Sequence, residues 1–296
     1  AMSSTNSILW QTLTKFLYPT NTYHYNSGGD PAHIPDLTYQ KFMDFYTSHY
    51  HPSNAIFMTY GNIPAVDHQE RFQELALRRF KNSNCNIAVQ NEKRYETPQY
   101  FRETYAVDKS ESCEKKTHII VAWLLGDSTD LESTMEARLL ASVLLDNSGS
   151  PLMSVLESTN LGSAPSPMCG LEDSQKQLCF ACGIEGSEEA DADEVEAMIL
   201  AVVQSIAHDG ISFAQVSSSL HQIELQQREV SGGGYPYGLG LMLTALTGAT
   251  HRGDSAALLD LDPVLLNLHE RIKDPEYIKS LAKTLLLENT HRIRLV

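Results

Sequence analysis

Apolar residues keep helical spacing from the start of the chain, where Leu9, Leu13, Phe16 and Leu17 share one face. Thr38 is placed to cap a second helix whose face carries Tyr39, Phe42, Tyr46 and His49. His51-Pro52 ends it, because proline disfavours helical geometry in the residue before it. The run Ala55 to Tyr60 reads as a short strand closed by Gly61-Asn62, and Phe72, Leu75, Ala76 and Phe80 mark a third helix. A polar, broken stretch follows, and a linker is expected over 84–98.

Beyond it the pattern changes. Tyr100–Val107 and His118–Leu125 are candidate strands, and the unbroken apolar run of the second predicts burial on both faces. Ala137, Leu140, Ala141 and Leu144 return to helical spacing. The turn Asn147-Ser148-Gly149-Ser150-Pro151 then leads into a short helix through Leu152 and Leu156. Strands are expected at Pro165–Leu171 and Leu178–Ile184. Val195, Met198, Ile199, Val202, Val203 and Ile206 form the clearest amphipathic helix, followed by one with Phe213, Val216, Leu220 and Ile223. After Gly232-Gly233-Gly234 come helices at Leu239–Leu246, Leu261–Ile272 and Ile278–Leu285. His291–Val296 alternates Arg292 and Arg294 with Ile293 and Leu295, as an edge strand would. The expected class is α+β, with a mixed sheet and helices packed on one face. A helix, a polar break and a strand close both the first region and the second, which hints at two copies of one unit, the first cut short at its front.

Composition narrows the function. The 296 residues carry 22 Lys+Arg against 37 Asp+Glu, a net charge of −15. That balance argues against a nucleic-acid partner, which needs clustered cations to displace phosphate counterions, and against an anionic membrane surface. No window approaches the apolar length of a membrane span. The N-terminus has no signal-peptide pattern, and Ala1 before Met2 reads as a cloning remnant. Five cysteines, Cys85, Cys113, Cys169, Cys179 and Cys182, make an odd count that does not suit a disulfide framework, so a reducing compartment fits. Cys179 and Cys182 have redox-motif spacing, but strand alternation puts them on opposite faces, as buried structural thiols.

Candidate chemistry is sparse. His49-Tyr50-His51 has no third ligand nearby and sits where a helix ends, so a capping role is expected. His221-Gln222-Ile223-Glu224 falls one His short of the H-x-x-E-H zinc motif, since Leu225 stands where the second His belongs. With Leu220 and Ile223 on the buried stripe, it reads as a solvated helix face. Ser231–Gly240 is glycine-rich but follows a helix and lacks the Gly-Lys-Ser/Thr of a phosphate loop, which leaves a hinge or helix break. Ser148-Gly149-Ser150 lacks the frame of a nucleophile elbow. No catalytic, metal-binding or substrate-binding residue is assigned from these patterns. A zinc or thiol enzyme built from His49, His51, Cys179 and Cys182 has poor ligand spacing.

Two stretches are more specific. One is Tyr18-Pro19-Thr20-Asn21-Thr22-Tyr23 through Ser27-Gly28-Gly29-Asp30-Pro31 and Ile34-Pro35-Asp36-Leu37-Thr38; the other runs from Tyr50-His51-Pro52-Ser53-Asn54-Ala55 to Tyr60-Gly61-Asn62. Together with Leu144–Leu152, Leu161-Gly162, His221–Glu224 and Gly238–Thr244, they resemble the presequence-protease branch of the pitrilysin, or insulinase, zinc metallopeptidases. The resemblance implies four homologous α+β domains enclosing a chamber, and degradation of short unstructured peptides. It also implies zinc held by H-x-x-E-H and a distant Glu in the first domain. None of those ligands maps onto this chain, so zinc is expected only in the complete protein. By this resemblance residues 1–83 are the end of the first domain and 99–296 a second, non-catalytic one. The implied partners are unstructured peptides, the remaining peptidase domains or a catalytic subunit, and further copies of the chain, whose incomplete first region would expose apolar surface. The alternative is a natural non-catalytic paralogue acting as a binding or assembly subunit. The implied compartment is an organelle matrix or the bacterial cytoplasm.

Overall fold

A computed structural model describes residues 4–83, 87–230 and 236–296. Cys85 and the glycines 232–234 singled out above lie outside the described residues. The chain divides into two compact units that are discontinuous in sequence: residues 1–25, 90–229 and 260–296 form unit 1, and 26–89 with 230–259 form unit 2. These units do not follow the division at 84–98 expected from polarity.

Unit 1 is built on a six-stranded mixed sheet. Its strands are β1 (Gln99–Phe101), β2 (Thr117–Asp127), β3 (Ala164–Pro165), β4 (Gly170–Glu172), β5 (Gln177–Ser187) and β6 (Arg292–Leu295). The order is β1-β6-β2-β5-β3, with β4 also paired to β5. β2 and β5 are long and antiparallel, with Ile120 opposite Gly183 and Trp123 opposite Phe180. Among the described residues, only β1 and β6 run parallel. The chain's last strand, expected at an edge, lies instead between β1 and β2, with Ile293, Arg294 and Leu295 paired on both sides. The expected strand from Tyr100 to Val107 shrinks to three residues, although Glu103 N–H still bonds to the Val296 carbonyl at 2.9 Å.

Helices cover both faces of the sheet. On one side pack α4 (Leu131–Leu145), α5 (Pro151–Ser158), α6 (Ala192–Asp209), α7 (Phe213–Arg228), α9 (Leu261–Arg271) and α10 (Pro275–Ala282). Their apolar stripes meet Ile119, Val121, Trp123, Phe180 and Cys182. The other side is closed by α1 (Thr5–Leu17), whose Leu9, Leu13 and Leu17 meet Ile120, Ala122, Leu124, Cys179 and Ala181. The all-apolar stretch of β2 is therefore buried on both faces, as its composition predicts. α1 is thus an integral layer of this unit, separated in sequence from the strands it covers. Local signals start and stop these helices. Ser4 and Ser212 accept from the backbone N–H three residues on, Asp130 and Asp274 from that two residues on, Pro151 and Pro275 open helices, and Gly210 ends α6 at φ +79°. α10 runs into a π-turn over Lys283–Leu287, and the buried Trp123 indole N–H bonds to the Leu286 carbonyl at 2.9 Å.

Unit 2 has little interior. It contains α2 (Tyr39–His49), α3 (Ala65–Leu75) and α8 (Tyr237–Thr250). No residue of α2 or α3 is buried. The run 55–60, expected as a strand, pairs with no strand among the described residues, and every residue from 55 to 67 is exposed to solvent.

Candidate functional site

The strap from residue 90 to 97 carries the densest polar chemistry of unit 1. The buried Glu92 carboxylate accepts from the backbone N–H of Thr20 at 3.0 Å, Asn21 at 3.1 Å and Lys93 at 2.8 Å, and also from the Thr20 hydroxyl. Its own N–H donates to Gln177 Oε1 at 2.6 Å. The Arg94 guanidinium donates to the carbonyls of Leu124 and Leu125, where β2 is no longer paired regularly with β5. These bonds satisfy backbone groups just beyond α1 and at the end of β2, where the Leu124 carbonyl also accepts from Asn289 Nδ2 at 2.9 Å. The part of the expected linker beyond residue 90 is therefore pinned by its side chains to α1 and the sheet.

His291 completes this network and is fully buried. Tyr95 N–H donates to its Nδ1 at 3.1 Å, so the ring proton sits on Nε2 and is donated to the Leu17 carbonyl at 2.9 Å. Burial is the main cause that pushes its pKa down from 6.5 to about 4, and the nearby Arg94 charge acts in the same direction. The unfolded chain therefore binds a proton at this site between those values and the folded chain does not. The stability contributed by neutral His291 is complete above pH 6.5 and is lost as the pH falls toward 4, by about 2–3 kcal/mol. Unfolding free energies measured at intervals from pH 7 to 4 are expected to fall more steeply for the parent than for His291→Gln. Parallel slopes would show that the imidazole does not titrate with folding.

The residues singled out from the sequence are not brought together. His49 Nδ1 lies 3.1 Å from the Phe45 carbonyl, and His51 Nδ1 accepts from Ser53 N–H at 3.1 Å, so both imidazoles cap local backbone. His221 is exposed on α7, and Glu224 is spent on Arg228 at 3.0 Å and on His269 of α9 at 3.1 Å. The hydrogen bond from His269 is the main cause that holds the Glu224 carboxyl below its usual range. Ser150 Oγ accepts from Asn147 N–H at 3.3 Å inside its turn. Cys179 faces α1 and Cys182 faces the opposite helices, and burial pushes both thiols far up. Neither is a ready thiolate nucleophile. Among the described residues, no three His, Cys, Asp or Glu side chains cluster as a metal site requires.

Among the clefts of unit 1 are two of contrasting character. One of about 240 Å³ lies between α1 and the segment 102–118, with Ile8, Leu9, Tyr105 and Val107 on its walls and Cys113 and His118 beside them. Its cations are already committed, Arg102 to Glu189 at 2.6 Å and Lys116 to Glu111 at 2.8 Å. The other, of about 210 Å³, is lined mostly by amides and hydroxyls (Asn147, Gln215, Ser218, Ser219 and Gln222) with Asp146 beside them. Neither holds a nucleophile bonded to a base in the way acyl transfer needs. The sequence reading missed the Glu92, Arg94 and His291 network. Its only sequence signal is a cluster of charge in a segment that otherwise reads as linker, and its partners lie up to 274 residues away.

Comparison with known proteins identifies the family of this fold. Residues 36–223 match the family described as the peptidase M16 inactive domain. The mitochondrial presequence protease of Xenopus tropicalis is 31% identical over 297 aligned residues, and that of Mus musculus 30% over 299. Both alignments cover 100% of this chain, but only 29% and 28% of the relatives, so the chain spans less than a third of their length. A solved protease from Helicobacter pylori shares the fold with a TM-score of 0.71 at 15% identity, over 99% of this chain and 67% of that one. A peptidase M16 inactive domain from Pseudomonas fluorescens gives 0.68 at 15% identity, over 97% and 64%. With its family matched over most of its length and its mixed sheet and helical layers shared with solved members, the chain belongs to the peptidase M16 inactive-domain family.

Proposed function

We propose that this chain is a non-catalytic wall of a larger zinc metallopeptidase that degrades short unstructured peptides. The zinc, its ligands and the carboxylate that activates water would be supplied by other peptidase domains, which are its partners in this reading. The observation that carries it is the family match together with 30–31% identity to presequence proteases along the whole chain. Residues 99–296 would correspond to one non-catalytic peptidase-like domain and 1–83 to the end of a preceding one, joined through 84–98. A rigid sheet covered on both faces suits a wall, because it confines a peptide without contributing reacting groups.

The test is direct. The purified 296-residue chain is expected to hold no stoichiometric zinc and to leave a fluorogenic unstructured peptide uncut. Hydrolysis that a chelator abolishes, and that zinc restores, would overturn the proposal by placing a complete metal site within this chain.

A further inference from the structure

We propose that the polar cleft between the end of α4 and one stripe of α7 binds an organic cation, a primary ammonium or guanidinium group. The cleft encloses about 210 Å³. From α7 come Ser218, Ser219 and Gln222, which share one helix face with Gln215. From α4 come Val143 and Asp146, at the end of the helix where carbonyls gather partial negative charge. Asn147 N–H would normally close the last turn of α4, but it donates to Ser150 Oγ at 3.3 Å instead. Among the described residues no donor therefore takes the Val143 carbonyl, although Val143 is only 4% exposed. Carbonyls of buried residues are seldom left in that state. The Asp146 carboxylate and the side chains of Ser218, Ser219 and Gln222 likewise have no hydrogen bond or ion pair to another described residue.

Charge selects the ligand. No Lys or Arg lines the cleft. Between Arg138 and Arg228 the only Lys or Arg is Lys176, and it is paired with Asp127. Arg138 itself pairs with Asp173, and Arg228 with Glu224 and Asp262. The chain thus offers Asp146 no cation of its own, and the charge at the cleft is the carboxylate added to the negative end of α4. An anion is repelled there. A hard metal ion needs six or more oxygens held close, usually from several carboxylates, and this cleft has one carboxylate. An ammonium or guanidinium carries three to five N–H donors, which suits acceptors spread over two helices: the carboxylate, the Val143 carbonyl, the amide oxygens of Asn147 and Gln222 and two hydroxyls. This inference does not depend on the peptidase reading.

Titration of the full 296-residue chain with n-butylguanidinium, followed by backbone amide chemical shifts, tests it. Saturable shifts confined to the turn after α4 and to α7 are expected, with a dissociation constant of about 1 mM. n-Butanol, uncharged and equally long, should bind more weakly. Asp146→Asn should weaken guanidinium binding about fivefold. Gln222→Leu, which removes the amide and leaves the charge, should weaken it as well. Glu194→Gln makes the same change of charge at an exposed position outside the cleft and should alter nothing. Amide spectra that match the parent away from the substitution would show that each variant is folded. Spermidine and Nα-acetyl-arginine amide are titrated in parallel, and the tighter of the two tells whether the cation comes from a free polyamine or from a polypeptide side chain. Shifts that do not saturate overturn the proposal. So do n-butanol binding as tightly as n-butylguanidinium, binding unchanged in Asp146→Asn, and equal weakening in Glu194→Gln.

Discussion

Replacing Gly183 with alanine is expected to destabilise unit 1 by about 3 kcal/mol or more, or to prevent its folding. Gly183 lies in β5 opposite Ile120 of β2, in the middle of the longest strand pair. A Cβ built there would meet the Ile119 carbonyl oxygen at 2.0 Å and the Ile120 Cα at 2.9 Å. Both obstacles are backbone of the neighbouring strand, so no rotamer change relieves them. β2 would have to retreat from β5, and both strands are packed on both faces by buried side chains. The Gly183 carbonyl also accepts Ser166 N–H at 2.9 Å, which anchors the turn between β3 and β4. Gly240 in α8 provides the contrast, since nothing lies within 4 Å of a Cβ added there. Gly240→Ala should be neutral or slightly stabilising, by the helix propensity of alanine. Thermal unfolding of the two variants beside the parent checks this. A Gly183→Ala protein melting within a degree of the parent would mean that the strand pair yields far more easily than its packing suggests.

Which parts of the fold were legible in the sequence follows from where each element's partners lie. β2, β5 and α6 announce themselves because their own side chains carry the signal: an unbroken apolar run buried on both faces, and a stripe at 3.6-residue spacing. β6 was legible as a strand but not as an interior one. Its Arg292 and Arg294 resemble the charges that protect an edge, and what neutralises them is Glu196, about a hundred residues earlier. The segment 55–60 has the composition of a strand, but composition records the preference of a strand and not the presence of a neighbour. The capping of His49 and His51 and the exposure of His221 could be read locally, because helix ends and stripes are local facts. The strap around Glu92 and Arg94 could not. Its meaning comes from carbonyls and amides on α1 and β2, which polar composition alone represents as a linker.

Removing the carboxylate of Glu196 should cost about 3 kcal/mol, the second large effect expected in this molecule. Glu196 lies on the inner side of α6, with its side chain only 9% exposed. It is 3.2 Å from Arg292 and 2.9 Å from Arg294, whose side chains are 12% and 16% exposed. Through these pairs it ties α6 to β6. In Glu196→Ala, Arg294 keeps Asp193 at 2.5 Å, but Asp193 is almost fully exposed and compensates weakly. Arg292 is left as a nearly buried cation with its carboxylate gone, and the desolvation cost it already bears is no longer offset. The double variant Glu196→Met with Arg292→Met removes the charge together with its partner and fills the space with apolar atoms. It should therefore recover most of the loss, because the penalty of the single change lies mainly in the orphaned charge. Urea unfolding of the single and double variants separates the two contributions. A single variant within about 1 kcal/mol of the parent would mean that water reaches Arg292 freely. A double variant no more stable than the single one would mean that the packing of these stems, and not their charge, holds α6 on the sheet.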